Sequence, residues 1–274
     1  MNNFEFLRMV NIGQYLPLDS VLHRRDPRAM ITAYIILLAA STFTTSLTGL
    51  LIALALVLAL LALGRIPLRY SLRGLLPPLP FLLLLAILQV FISIHPATAQ
   101  PLFTWKFISI YASGLLAAVR LIIRFTVLIL ELSLASFTLS TSELIHGLNA
   151  LFKPLTYLRL PINDLVMVIQ VTLRFIPFLA LVAERIAKAQ ASRGAEWGTR
   201  TGNIFTRTRA VVPLIVPLFM NSLQRAETMA LAMDARAYGS QPQRSSMIVF
   251  HFSWQDALAI LLAVAASAAV LFIR

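Results

Sequence analysis

The chain has 274 residues, of which 59% are hydrophobic and only 12% charged. Proteins that fold in water carry about 25% charged residues, so the composition argues against a soluble enzyme and for an integral membrane protein. Lys and Arg outnumber Asp and Glu by 23 to 11, a net charge of +12; in a membrane protein this reports cationic cytoplasmic loops facing an acidic partner or lipid surface, not nucleic acid.

The first segment, Met1 to Ser20, carries Glu5, Arg8 and Asp19 and lacks an apolar core, so no cleavable signal peptide is expected. Between Arg28 and Arg65 lie 36 uncharged residues, too many for one span of roughly 20. The polar run Ser41 to Ser46, then Thr48-Gly49, divides them into a tight hairpin of two helices, with Arg28 and Arg65 placed to snorkel at their outer ends. A third span is expected from Leu79 to Ile94, opened by Pro77, Pro78 and Pro80. A fourth is expected from near Phe107 to about Leu130, with Arg120 and Arg124 in its last turns and Glu131 at its edge. The last runs from Ala257 to Ile273. The cations set the orientation: 21 of the 23 fall in the N-terminal segment, in Arg65–Arg73 and between Arg120 and Arg244. If those face the cytoplasm, the N-terminus is inside, the C-terminus outside and the number of spans odd. Five spans fit.

The section from Glu131 to Phe250 offers no further clean span. The greasiest part, 162–183, contains Asn163, Asp164, Gln170 and Arg174, and a central Arg or Asp costs about 2.5–3.5 kcal/mol on insertion scales. Three amphipathic helices at the inner membrane surface are expected instead. One starts at Ser140, which stands in capping-box spacing with Glu143, and ends before Pro154. The next runs from near Asn163 to Arg193-Gly194 with a possible kink at Pro177. The third runs from about Asn203 to Tyr238-Gly239, interrupted by Pro213 and Pro217. Val211, Leu214, Ile215, Leu218 and Phe219, then Ala226, Met229, Ala230 and Met233, recur at helical spacing. Such a stripe packs against neighbouring helices; the alternative reading is a methionine-containing surface that adapts to more than one partner. The fold class is therefore all-α, an integral membrane protein of about five spans with a coupling domain of long amphipathic helices. The expected division is 1–28 cytoplasmic, 29–134 the first four spans, 135–252 the cytoplasmic coupling domain and 253–274 the last span.

The two longest of these helices end alike. One closes Ala191-Ser192-Arg193-Gly194 and the other Ala235-Arg236-Ala237-Tyr238-Gly239. An Arg in a final turn complements the negative end of the helix dipole. Small neighbours leave its guanidinium accessible for bidentate bonds to carboxylates in a partner's groove. On spacing alone, two solvated arginines near lipid headgroups account for the same pattern.

These tips resemble the paired Ala-Arg-Gly signatures of the transmembrane (T) component of energy-coupling factor transporters, the EcfT/CbiQ family. The stretch Leu22-His23-Arg24-Arg25-Asp26-Pro27-Arg28 is similar to that family's His-Arg-x-Asp-Pro-Arg stretch, and Arg65-Ile66-Pro67-Leu68-Arg69 resembles its first cytoplasmic loop. The likeness runs from about Gly13 to the last helix. It implies an energy-coupling subunit of an ATP-driven importer for vitamins or transition-metal ions, in a prokaryotic plasma membrane. Its partners would be two ATP-binding-cassette ATPase subunits and a substrate-binding S component, with ATP and Mg held by the ATPases and no cofactor in this chain. Arg193 and Arg236 would be the coupling arginines, flanked by Ser192, Gly194, Ala235 and Ala237. The chain departs from the signature in reading Ser-Arg-Gly at the first tip and Ala-Arg-Ala at the second.

Chemistry of other kinds finds little support. The three lysines, Lys106, Lys153 and Lys188, do not follow glycines, so there is no Walker A loop and the chain is not expected to be an enzyme. Its four histidines are scattered without ligand spacing, and no cysteine is present for disulfides, thiolate metal sites or catalytic thiols. The alternative function, a small ion-coupled carrier or channel, is weakened by the near absence of acidic residues within the proposed spans.

Overall fold

The computed structural model describes residues 15–16, 18–92, 103–105, 108–154, 162–194, 204–240 and 250–273. Nine helices lie among them: α1 Pro27–Phe43, α2 Leu47–Leu63, α3 Leu68–Arg73, α4 Leu79–Ile92, α5 Ala112–Thr138, α6 Thr141–Phe152, α7 Ile162–Ser192, α8 Ile204–Ala235 and α9 Trp254–Phe272. A short antiparallel pair, β1 Phe103–Trp105 and β2 Ile108–Ile110, joins Thr104 to Ser109 in register. The chain divides into two compact units, one of residues 13–158 and 250–274, the other of 1–12 and 159–249.

The first unit is a bundle whose local signals decide where each helix starts. Asp26 caps α1 by accepting from the Arg28 N–H at 2.9 Å, with Pro27 in the first turn. The chain turns within three residues, and Ser46 caps α2 through the Gly49 N–H at 3.0 Å. The polar run thus makes the expected hairpin. Gly49 is required there because a Cβ would lie 2.3 Å from the Val270 carbonyl oxygen of α9. The Ser140–Glu143 capping box is present on α6, the Ser140 N–H donating to Glu143 at 2.9 Å. Gly147 then lets α6 close onto α1, since a Cβ there would meet Ile31 at 2.7 Å. By packing, α6 belongs with these helices and not with the long pair that follows, whereas the sequence division grouped all of 135–252.

The fourth span differs most from expectation. Ile108–Ile110 is paired as a strand, so α5 starts at Ala112, and it continues past Leu130 to Thr138. Arg120 and Arg124 are therefore mid-helix and not in the last turns, and Glu131 is interior. The polar side chains that obscured this pair with α1 and its C-cap. Ser41 Oγ donates to Glu131 Oε1 at 2.8 Å, Tyr34 pairs with Thr138 at 2.9 Å, and an Arg124 N–H donates to the Thr44 carbonyl. These contacts run α5 antiparallel to α1. Asp26 meeting Asp256 at one end and Thr44 meeting Val270 at the other run α9 parallel to it. Val57, Leu61, Val127, Leu130, Leu134 and Val270 form the fully buried apolar centre.

In the second unit α7 and α8 pack on each other. Neither is broken by its prolines: Pro177, Pro213 and Pro217 all lie inside continuous helix, against the interruption expected of α8. Residues 164–192 of α7 are long and apolar enough to cross a membrane, as is α9, while α1, α2 and α4 are shorter apolar helices. The region 162–183 thus passes a length and composition test that its polar residues had argued against. It does so with its apolar side chains Leu165, Val168 and Ile169 exposed.

Candidate functional site: two arginine-capped helix ends

Both predicted tips are described, and they share one hydrogen-bond pattern. At the end of α7 the Arg193 N–H donates to the Gln190 carbonyl at 3.1 Å and the Gly194 N–H to Ala191 at 3.0 Å. At the end of α8 the Arg236 N–H donates to Met233 at 3.1 Å and the Ala237 N–H to Asp234 at 2.8 Å. Each Arg is the C-cap residue, and the residue after it is left-handed, with φ of 86° at Gly194 and 54° at Ala237. In the second tip the Tyr238 N–H also reaches Met233 at 3.0 Å, which completes a Schellman closure.

This pattern accounts for the departure from the Ala-Arg-Gly signature. A left-handed residue is needed after the Arg, and glycine supplies it without strain. Ala237 takes the same conformation at a cost of about 1 kcal/mol, offset by the two closing hydrogen bonds and by Gly239, itself at φ 94°. The replaced glycine changes the strain, not the shape.

Around each guanidinium the surface is open. Ser192, Arg193 and Gly194 are exposed, as are Ala235, Arg236 and Ala237, and no atom lies within 4 Å of where a Gly194 side chain would stand. Ser192 Oγ turns back to the Ala189 carbonyl at 2.9 Å, which leaves the Arg as the group presented outward. The nearest acidic side chain before the first tip, Glu184, is paired with Lys188 at 2.5 Å. Both arginines sit on helix carbonyl ends, where the dipole holds a cation, and among the described residues neither is paired with a carboxylate.

The predicted stripe on α8 separates into two faces. Leu214, Leu218, Met229 and Met233 are half-buried, whereas Val212, Ile215, Val216, Phe219, Met220 and Leu223 form a continuous exposed apolar ridge. The α7–α8 contact includes a cation–π pair that the sequence did not reveal, Arg225 Cζ lying 5.1 Å from the Phe178 ring centre. Ala180, Ala183 and Ala187, spaced along one side of α7, are its buried positions, and their small size permits close helix approach.

These features define a helical membrane protein that carries a pair of arginine-capped, largely uncovered helices. The family described as cobalt transport protein, CbiQ, matches residues 19–247. The chain is 34% identical over 257 residues to the energy-coupling factor transporter transmembrane protein EcfT of Clostridium kluyveri, covering 94% of each chain. It is 34% identical to that of Acidaminococcus fermentans over 97% of each, and 32% identical to that of Bacillus subtilis over 96% of this chain and 97% of that one. The chain belongs to the EcfT/CbiQ family of transporter transmembrane components.

Proposed function

We propose that this protein is the non-catalytic energy-coupling subunit of an ATP-driven importer, with Arg193 and Arg236 as the two points at which ATPase subunits engage it. The observation that carries this reading is the identity of the two caps. Two helix ends of different sequence hold an exposed Arg followed by a left-handed residue whose N–H bonds three residues back, as two equivalent docking grooves would require. Nucleotide-driven approach of the ATPases would pull on both arginines and so move α7 and α8. The exposed ridge of α8 and the apolar residues of α7 would hold a separate substrate-binding membrane subunit that takes up a vitamin or a transition-metal ion.

In this reading α1, α2, α4, α5 and α9 are the five spans, with the N-terminus and both tips in the cytoplasm of a prokaryotic cell. Helix polarity in the bundle supports it: α1 and α9 run parallel and α5 opposite, as first, fifth and fourth spans must. ATP and Mg would be bound by the partners alone.

The test is charge reversal of each arginine. Loss of one member of a charged pair at an interface costs about 2–5 kcal/mol. Arg193→Glu with Arg236→Glu is therefore expected to abolish copurification of the two ATPases in mild detergent, with Glu more damaging than Ala at either site. Full retention of both ATPases by the double variant would defeat the assignment.

A further inference from the structure

The stretch around Asp26, singled out in the sequence, has no part in the tips, yet it builds a clasp where the chain leaves one unit and enters the other. The coupling unit ends at Val249 and the bundle resumes at Phe250. Six residues on, Asp256 is buried, 3% exposed, and its two oxygens serve two different helices. Oδ2 accepts the Ser253 N–H at 2.8 Å, capping its own helix α9, while Oδ1 accepts the Asp26 N–H at 3.2 Å, at the start of α1. Asp26, also buried, caps α1 through the Arg28 N–H and stands 4.0 Å from Arg28 Nε. Arg28 in turn lies over the Phe250 ring at 5.9 Å, and His146 of α6 meets the same ring edge-on at 6.3 Å. On the outside, an Arg25 N–H donates to Gln255 Oε1.

Two parallel helices that start side by side bring two positive dipole ends together, and here Arg25 and Arg28 add to that charge. The two buried carboxylates answer it, and Asp256 does so by tying both helix starts to one side chain. A helix cap serves only its own helix; this one is shared across 230 residues of sequence. Among the described residues that follow α8, it is the first to hydrogen-bond a helix of the bundle other than its own.

We infer that this clasp, with Asp256 and Asp26 as positioning residues and the Arg25–Gln255 contact as its outer arm, is the joint that passes movement of the coupling helices into the first span. The inference rests on the proposed function, and a measurement resolved along the chain separates the two. The complex with its ATPases is purified, and hydrogen–deuterium exchange is compared with and without ATP plus vanadate. In the unaltered protein nucleotide is expected to change exchange both at the α8 tip (233–240) and in α1 (27–43). No change at the tip would defeat the proposed function itself.

In Asp256→Ala the tip response is expected to persist while the α1 response falls about fivefold or more, the size of an ordinary coupling term. An α1 response equal to that of the unaltered protein, beside a normal tip response, would overturn the joint. If Asp256→Ala does not assemble, Asp256→Asn, which keeps one acceptor, is judged by the same criterion. A merely destabilised bundle is distinguished by rescue. Because the chain has no Cys, Arg25→Cys and Gln255→Cys can be bridged by a short bismaleimide in the Asp256→Asn background. Return of the α1 response on bridging supports the joint, and failure to return counts against it.

Discussion

The bundle and the α7–α8 pair are made from similarly greasy sequence and both expose apolar side chains, yet they treat their polar groups in opposite ways. In the bundle, polar side chains turn inward and bond across helices: Ser41 with Glu131, Tyr34 with Thr138, and Asp256 with the Asp26 backbone N–H. Glycines 49 and 147 let backbones approach to contact. In the pair, alanines line the buried side of α7, the ridge from Val212 to Leu223 is bare, and the helices end in exposed cations. Buried, paired polar groups fix one arrangement, because any sliding orphans them. The α7–α8 contact, made by small alanines and the Arg225–Phe178 pair, has no comparable buried polar pairing among the described residues. One unit is built to keep its shape, and the other fits the proposed role of being held by partners.

That contrast can be broken by mutating each unit at its characteristic position. Gly49→Ala places a methyl 2.3 Å from the Val270 carbonyl oxygen, so α2 and α9 must separate. The expected loss of stability is about 3 kcal/mol, the upper range for overpacking, read as a lowered Tm in detergent. Phe219→Ser, at a side chain 63% exposed on the ridge, is expected to move the stability of the isolated chain by less than about 0.5 kcal/mol. It should nevertheless weaken retention of a membrane partner by roughly tenfold, the burial value of an aromatic side chain. If Phe219→Ser unfolds the chain as Gly49→Ala does, the ridge is internal packing and the distinction fails. A stability change of the opposite sign is expected at the second tip. Ala237→Gly removes the left-handed strain and should raise stability by about 1 kcal/mol without loss of ATPase binding, and Ala237→Val should lower both. Equal Tm for all three would mean that residue 237 does not hold the left-handed conformation.

Much of this organisation was legible in the sequence because it is local. The α1–α2 hairpin follows from a polar run, the start of α6 from Ser140 and Glu143, and both tips from an Arg among small residues ahead of a glycine. What escaped was set by partners distant in sequence. Glu131 and Arg124 looked like span edges because the Ser41 hydroxyl and the Thr44 carbonyl that they bond lie 90 and 80 residues away. The start of α5 was misplaced because Ile108 and Ile110, apolar and β-branched, suit strand and helix alike. The prolines of α8 were read as interruptions, whereas the helix passes through them. The role of Asp26 was invisible, since nothing nearby indicates that its partner is residue 256.

The account turns on both arginine-capped ends facing the cytoplasm, where ATPases can reach them. The most direct measurement exploits the absence of cysteine: Ser192→Cys and Ala235→Cys, each challenged with a membrane-impermeant maleimide. No labelling is expected in intact cells and strong labelling in inside-out vesicles, diminished when the ATPase subunits are bound. Labelling of either position from outside sealed cells would put the caps on the wrong face of the membrane and contradict the account.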